Sequence, residues 1–178
     1  FDLIESSGVL HHMKDPLAGW TTLRNLLKRG GLMRIGLYSS KGRREWNGLR
    51  EVLPPNLDKE RVANFIRERR SRVLMKSVNG VDNVITNIAD YYSLSGCRDL
   101  LFHENEIQFS IPQIAKMIAD LNLRFLGFAN LMESTEKTFR NKFNSSTDYY
   151  DLEKWDIFEQ EYPNTFISMY QFWCQAKD

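Results

Sequence analysis

The first forty residues show a strand-like apolar run, a helical repeat and a second apolar run. Phe1, Leu3 and Ile4 are typical of a strand over residues 1–6 that is covered on both faces. Asp15-Pro16 predicts a helix start, because Asp accepts hydrogen bonds from free amides and Pro tolerates the first helical position. The apolar face of this helix consists of Leu17, Trp20, Leu23, Leu26 and Leu27. Gly30-Gly31 ends it before a second strand over residues 32–38, which predicts a parallel strand–helix–strand unit.

The last seventy residues predict two more strands and two more helices. Ser110 and Gln113 have the spacing of a capping box and begin an amphipathic helix. Strands are predicted over residues 124–129 and 166–176, with a helix over residues 151–162. Residues 39–110 predict a helical insert. The fold class is therefore α/β, with a single domain over residues 1–178 and the insert at 39–110 within it.

Composition narrows the class of protein. The chain has 178 residues, 42% of them hydrophobic, which excludes a disordered chain. No apolar run is long enough to span a membrane, so we expect no membrane partner. Two cysteines, Cys97 and Cys174, are too few for a disulfide framework and predict reduced thiols and a cytoplasmic location. A net charge of +1 argues against a protein that coats a polyanion.

Several segments resemble a known family. The run Phe-Asp-Leu-Ile-Glu-Ser-Ser-Gly-Val-Leu-His-His-Met and the later Arg-Gly-Gly-Leu-Met-Arg-Ile-Gly-Leu-Tyr are similar to the fourth and fifth strands of class I S-adenosylmethionine-dependent methyltransferases. Residues 90–93, 97–103 and 170–173 resemble recurring segments of a bacterial subgroup that is often fused to tetratricopeptide repeats. The resemblance implies part of a Rossmann-like methyltransferase sheet, namely two parallel strands plus a C-terminal antiparallel pair.

The resemblance also implies that the chain is the C-terminal part of a methyltransferase. The family's glycine-rich loop approaches the cofactor closely, and no Gly-x-Gly-x-Gly pattern occurs in this sequence. We therefore expect S-adenosylmethionine to be the cofactor of the intact parent, with none bound to this chain, and we expect the isolated chain to be inactive. By the same resemblance Ser6, Ser7, Gly8 and Val9 would lie beside the methionine end of the cofactor. The alternative is that Gly8 serves only the geometry of a strand-to-helix turn.

The adjacent pair His11 and His12 is the candidate for acid–base chemistry, because imidazole titrates near neutral pH. Methyl transfer depends mainly on alignment, so a base helps only if the acceptor must lose a proton. Adjacent helical residues point about 100° apart, so both histidines cannot face one substrate. A structural hydrogen bond at a helix start is the alternative role. We expect no metal, since the spacing of Cys97 and His103 is not a usual zinc pattern.

The acceptor itself is not identified by the sequence. Candidate substrate-binding residues are the aromatic and cationic side chains at the end of the second strand and in the insert, namely Tyr38, Tyr91, Tyr92, Arg98 and His103. These side chains could instead pack a helical cap, with Arg98 paired to a neighbouring carboxylate. The main basic concentration consists of Arg43, Arg44, Lys76 and the arginines of residues 67–72. Glu60 and Glu68 are interleaved and aromatic stacking platforms are lacking, so we expect a solvated helix face and no nucleic-acid partner; RNA binding through these arginines is the alternative.

A second functional class follows from the opening strand. A domain rarely begins inside a central strand, and this chain starts at Phe1 without an initiator Met. If the neighbouring strands are missing, residues 1–6 become an exposed sheet edge that can pair with another chain. The alternative hypothesis is a non-catalytic interaction module that forms a symmetric homodimer through this N-terminal edge.

Overall fold

The computed structural model describes residues 1–44, 61, 63–64, 67–68, 93 and 105–177. The chain divides into two compact units, one formed by Phe1–Arg43 with Asn105–Asp178 and the other by Arg44–Glu104. The second unit has few described residues; those at positions 61–68 are helical. Residues 39–43 and 105–110 belong to the first unit, and the insert at 39–110 stays a prediction.

A mixed four-stranded sheet forms the centre of the first unit. Its strands are β1 (Leu3–Ser7), β2 (Leu32–Tyr38), β3 (Leu123–Phe128) and β4 (Met169–Ala176), in the order β1-β2-β4-β3. β1 and β2 are parallel, whereas β4 is antiparallel to both β2 and β3. This confirms the predicted α/β fold class and the predicted pairing, namely two parallel strands and a C-terminal antiparallel pair.

Four α-helices accompany the sheet in the described part of the first unit. They are α1 (Pro16–Leu26), α2 (Ile111–Asp120), α3 (Glu133–Lys142) and α4 (Leu152–Glu161), and short 3₁₀ helices occupy Leu10–His12 and Asp148–Tyr150. Asp15 caps α1 as predicted, accepting the Ala18 amide at 2.9 Å, and Gln113 of the capping box accepts the Ser110 amide at 2.8 Å. Helix α3 was not predicted. Its residues are mostly polar, and Phe139 is its buried side chain.

The core lies between the sheet and the helices and is rich in aromatic rings. Alternate residues of β4 are buried, including Tyr170, Phe172 and Cys174, and Met33, Ile35 and Leu37 of β2 are inaccessible to solvent. Trp155 of α4 stacks on Phe139 with ring centroids 3.8 Å apart. β2 and β4 are central strands of the described sheet, so these residues fix the position of the loops that follow β2.

The first strand is less buried than its sequence predicts. β1 lies at one edge of the described sheet, and Phe1 and Leu3 are 67% and 55% exposed. The sequence predicts a strand with both faces covered, and the exposure of Leu3 differs from this; the position of β1 beside β2 alone in the described sheet agrees with the predicted exposed edge. The described residues include no helix that is both long and apolar enough to cross a bilayer.

Candidate functional site at the carboxyl ends of β1 and β2

The carboxyl ends of the two parallel strands lie side by side. Ser7, the last residue of β1, is in register with Gly36 of β2. A Cβ at Gly36 would overlap the Ser7 hydroxyl and lie 2.8 Å from the sulfur of Met169, so a larger residue here would displace both side chains where three strands meet. In open α/β sheets, ligands bind outside the carboxyl ends of the strands. This edge is therefore the candidate site.

The end of β1 and the turn that follows it are largely exposed at this edge. Ser6 is buried, whereas Ser7, Gly8 and Val9 are exposed. Gly8 has a φ of +76°, a left-handed conformation that favours glycine, and the space where a Cβ would project is open. The turn geometry explains the glycine by itself, and the open space also allows close approach of a ligand to the backbone. We call residues 6–9, which comprise the end of β1 and the following turn, the donor loop, after the methyl donor that the family resemblance implies beside them.

The aromatic rings of His11, His12 and Tyr38 pack together beside the donor loop. His11 is fully buried and stacks on Tyr38, with centroids 3.7 Å apart and ring planes 25° from parallel. His12 is half-buried and meets the same ring edge-on, with centroids 5.6 Å apart. The two imidazoles also contact each other edge-on, with centroids 4.3 Å apart, so both rings converge on Tyr38 although they are adjacent in the 3₁₀ helix Leu10–His12.

A buried cation lies against the same tyrosine. The guanidinium carbon of Arg43 is 3.9 Å from the centre of the Tyr38 ring. Because His11 and Arg43 are both within 4 Å of this centroid, they must lie on opposite faces of the ring. Arg43 also forms a bidentate ion pair with Glu106, at 2.7 and 2.8 Å. Tyr38 is therefore held between an imidazole and a guanidinium whose charge is neutralised.

Residues 105–109, here called the covering segment, run along the ends of both strands. The Ile107 amide donates to the His11 carbonyl at 2.9 Å, and the Phe109 amide donates to the Tyr38 carbonyl at 2.8 Å. Nδ1 of His12 lies 2.9 Å from the Asn105 carbonyl oxygen. The backbone of this segment thus fixes both histidines and the end of β2.

The turn after β2 rests on a buried carboxylate. Glu159 accepts from the Tyr170 hydroxyl at 2.7 Å and from the Ser39 hydroxyl at 3.4 Å, and its other oxygen is 3.3 Å from the Lys41 ammonium. Ser39 in turn accepts from the Gly42 amide at 2.9 Å. Burial raises the pKa of Glu159 above its ordinary value and also raises the pKa of the Tyr170 hydroxyl. This network holds the turn that carries Arg43.

The structure brings together the candidate site residues that the sequence singled out and that lie within the described ranges. The donor loop, His11, His12 and Tyr38 share one edge of the sheet, whereas Tyr91, Tyr92, Arg98 and His103 lie outside the described residues. Sequence reasoning missed Arg43 and Glu106 as parts of the site. Arg43 was visible only as one of several clustered basic residues, and nothing in the sequence pairs it with a carboxylate 63 positions away.

Within the described ranges, no group of acidic, histidine or cysteine side chains could hold a metal ion.

Two clefts lie elsewhere in the described part of the chain. One of about 360 Å³ lies between α3 and the end of α4, and is lined by Thr138 and Tyr162 among others. The other, of about 240 Å³, lies between the start of α1 and α2 and is almost entirely apolar. Neither of these two clefts is lined by the donor loop or by the histidines.

Comparison with known proteins identifies the fold. No family model matches the sequence. The chain is 27% identical over 169 residues to the uncharacterized protein syc1184_c of Synechococcus sp., a match that covers 87% of this chain and 39% of that protein. It superposes on PKMT2 from Rickettsia typhi in complex with AdoHcy with a TM-score of 0.63 and 14% identity, and on another structure of PKMT2 with a TM-score of 0.59 and 16% identity.

These matches to PKMT2 cover all of this chain and 36% and 37% of the two solved chains, so the chain spans somewhat more than a third of the length of its relatives. The association with tetratricopeptide repeats stays a prediction. The strand order, the parallel and antiparallel pairing and this structural likeness agree, and the chain has the fold of part of an S-adenosylmethionine-dependent methyltransferase.

Proposed function

We propose that the chain is the C-terminal part of a methyltransferase that transfers a methyl group from S-adenosylmethionine to an acceptor. One observation carries the proposal: the chain superposes over its whole length on a PKMT2 structure that contains AdoHcy. The position of the donor loop at the carboxyl ends of two parallel strands supports it, because this is where ligands of open α/β sheets bind.

The residues at this edge fit one part of such a cofactor. Ser7, Gly8 and Val9 are exposed, and the open space at Gly8 leaves its backbone accessible. The cofactor would supply a methyl group on a positively charged sulfur, which needs alignment with the attacking atom more than covalent help from the protein. The donor loop would bind the methionine end through backbone groups, and Tyr38 would border the acceptor side.

The isolated chain is proposed to be inactive. It has no glycine-rich loop of the Gly-x-Gly-x-Gly type, and it spans only 36–39% of the proteins that it resembles. The groups on the remaining sides of a cofactor would have to come from chain outside these 178 residues. We therefore propose that the chain binds S-adenosylmethionine weakly or not at all, and that it works in the cytoplasm as part of a larger protein.

Calorimetry tests this proposal on two proteins. The first is the 178-residue chain, and the second is the product of the coding DNA extended upstream of Phe1. We expect micromolar binding of S-adenosylmethionine by the extended protein and none by the short chain. Micromolar binding by the short chain would refute its inactivity. An upstream sequence without a glycine-rich loop would remove the enzyme proposal.

The acceptor is proposed to bind over the end of β2. Tyr38 presents a half-buried ring there, and His12 lies beside it. Tyr91, Tyr92, Arg98 and His103 remain candidate contacts from the sequence alone. Because the guanidinium of Arg43 is neutralised by Glu106, the described residues give no support to recognition of an anionic acceptor by this arginine.

A second candidate function is self-association through β1. The observation behind it is the exposure of Leu3 on β1, and of Phe1 just before β1, at the edge of the described sheet. An exposed apolar edge strand offers unpaired backbone groups to another chain. We propose a symmetric dimer that pairs two β1 strands, and its test is argued in the Discussion.

A further inference from the structure

The two adjacent histidines have different surroundings. His11 is inaccessible to solvent, and its ring is stacked on Tyr38. His12 is half-buried at the edge where the acceptor is proposed to bind, and it contacts Tyr38 through a ring edge. A group that exchanges a proton with a substrate must reach it, so only His12 meets this requirement among the two.

The hydrogen bond of His12 selects one tautomer. Its Nδ1 lies 2.9 Å from the backbone carbonyl oxygen of Asn105, and a carbonyl oxygen only accepts hydrogen bonds. Nδ1 must therefore carry the proton in the neutral ring, which places the lone pair on Nε2. The orientation is fixed by the backbone of the covering segment, because the Ile107 amide also binds the His11 carbonyl. A base held in one tautomer by a carbonyl is the arrangement that general base catalysis needs.

We propose that His12 is the catalytic base of the methyl transfer, acting through Nε2, and that His11 is a positioning residue that holds Tyr38. This inference rests on the proposed methyltransferase function and deepens it. It also restricts the acceptor to a nucleophile that carries a proton when it binds, such as a nitrogen or a hydroxyl group. A carboxylate or a thiolate attacks without losing a proton and needs no base.

The step balances without any further reactant. The acceptor atom attacks the methyl carbon, and the bond between that carbon and the positively charged sulfur breaks, with its electron pair remaining on sulfur. The acceptor's proton passes to Nε2 of His12, which becomes an imidazolium. That imidazolium keeps its hydrogen bond from Nδ1 to Asn105 and afterwards releases the proton to solvent.

The tautomer is tested on the 178-residue chain by nitrogen NMR with ¹⁵N-labelled histidine. The signals of His12 are assigned as those that disappear from the spectrum of the His12→Gln variant. We expect the neutral His12 ring to carry its proton on Nδ1. Acylation with diethyl pyrocarbonate followed by peptide mapping is expected to label His12 on Nε2 and to leave His11 unlabelled until the chain is denatured. A His12 ring protonated on Nε2, or labelling of His11 before His12 in the native chain, would overturn the proposal.

Catalysis is tested on the upstream-extended protein, with tritiated-methyl S-adenosylmethionine and a whole-cell extract of the encoding organism as the acceptor source. His12→Gln retains a donor for the Asn105 carbonyl but has no base, so we expect the rate of incorporation to fall about 100-fold with unchanged donor binding. Lys14→Gln, an exposed residue two positions later, is the matched control and should retain the full rate.

An unchanged rate in His12→Gln would overturn the assignment of the base. Absence of incorporation by the unmodified extended protein would instead count against the methyltransferase function. The measured tautomer and labelling of His12 would distinguish these two results.

Discussion

Arg43 and Glu106 form a bidentate ion pair that is closed to solvent at both ends. The two bonds measure 2.7 and 2.8 Å, and the side chains are 0% and 1% exposed. Arg43 is the last residue before the unit Arg44–Glu104, and Glu106 is the second residue after it. The pair therefore joins the two points at which the chain leaves and re-enters the first unit. It also holds the Arg43 guanidinium against the Tyr38 ring.

Removing one member of this pair should strongly destabilise the fold. In Glu106→Gln the buried guanidinium loses this carboxylate, and breaking a buried ion pair in this way costs about 3–5 kcal/mol. Chemical denaturation should show this loss in the free energy of unfolding. The matched control is Glu5→Gln, which breaks the exposed pair with Arg34 at 2.9 Å and should cost at most about 1 kcal/mol.

The double variant Arg43→Met, Glu106→Leu distinguishes the stability lost by leaving a buried charge unpaired from the stability lost by poorer side-chain packing. Two apolar side chains of similar volume leave no buried charge, so much of the stability lost in Glu106→Gln should return. Equal losses in Glu106→Gln and Glu5→Gln would contradict the burial of the pair.

Two glycines near the site should respond differently to alanine. A Cβ at Gly42 would overlap the carbonyl oxygen of Phe166 and come within 2.8 Å of the Ser168 amide nitrogen, and neither backbone atom moves easily. Gly42→Ala is expected to cost about 1–3 kcal/mol, or more where the backbone must shift. A Cβ at Gly8 would meet no neighbour within 4 Å, so Gly8→Ala should lower the free energy of unfolding only through its φ of +76°, by about 1–2 kcal/mol.

Thermal unfolding of both glycine variants checks this comparison. A melting temperature for Gly8→Ala clearly below that of Gly42→Ala would contradict it. In the extended protein, Gly8→Ala also tests the donor loop, because a methyl group in the open space should weaken binding of S-adenosylmethionine without loss of fold.

The sequence predicts local structure well because the governing interactions are short in range. The cap of α1 depends on Asp15 and Pro16, and the box of α2 depends on Ser110 and Gln113, so neighbouring residues suffice to identify them. Resemblance to a known family supplied the antiparallel pairing of β3 with β4, which no local pattern gives, whereas the pairing of β4 with β2 was not predicted.

Contacts between residues far apart in sequence explain what was missed. Arg43 meets Glu106 across 63 positions, and Ser39 meets Glu159 across 120, so neither pair has a sequence signal. His11 and His12 look equivalent in the sequence, and only the tertiary structure separates them by burial. Helix α3 was overlooked because its polar sequence carries little apolar periodicity.

The stability of the chain should depend on the charge of Glu159. Burial raises the pKa of this carboxyl above its ordinary value of 4.5, although Tyr170 and Lys41 act in the opposite direction. The folded chain thus binds the proton more tightly than the unfolded chain does. The stability contributed by this binding is complete below about pH 4.5 and is lost as the pH rises through the raised pKa.

Denaturation of the wild type and Glu159→Gln over a pH series isolates this contribution. Glutamine stays uncharged, so the unfolding free energy of the wild type minus that of the variant should fall as the pH rises above 4.5. A difference that grows with pH would mean that Lys41 and Tyr170 stabilise the carboxylate more than burial destabilises it.

Self-association through β1 should be sensitive to one charge on the edge strand. Leu3→Lys places an ammonium on the strand, and charged side chains, lysine above all, block pairing between sheet edges. We expect light scattering to show a dimer for the wild type and a monomer for this variant. Leu26→Lys changes a similarly exposed leucine on α1 and should remain dimeric. A monomeric wild type at high protein concentration would end the dimer proposal.

The thiol of Cys174 should react with thiol reagents only slowly until the chain unfolds. Its side chain is fully buried, it donates to the Met33 carbonyl at 3.6 Å, and burial raises the pKa of the thiol to about 12. The reactive thiolate is therefore scarce at pH 8, whereas an unfolded thiol with a pKa near 8.5 ionises readily. In a Cys97→Ser background, a disulfide reagent such as dithionitrobenzoate should react with Cys174 at once in denaturant and only slowly in the native chain. Fast reaction of the native chain would show that β4 opens readily, against its central place in the described sheet.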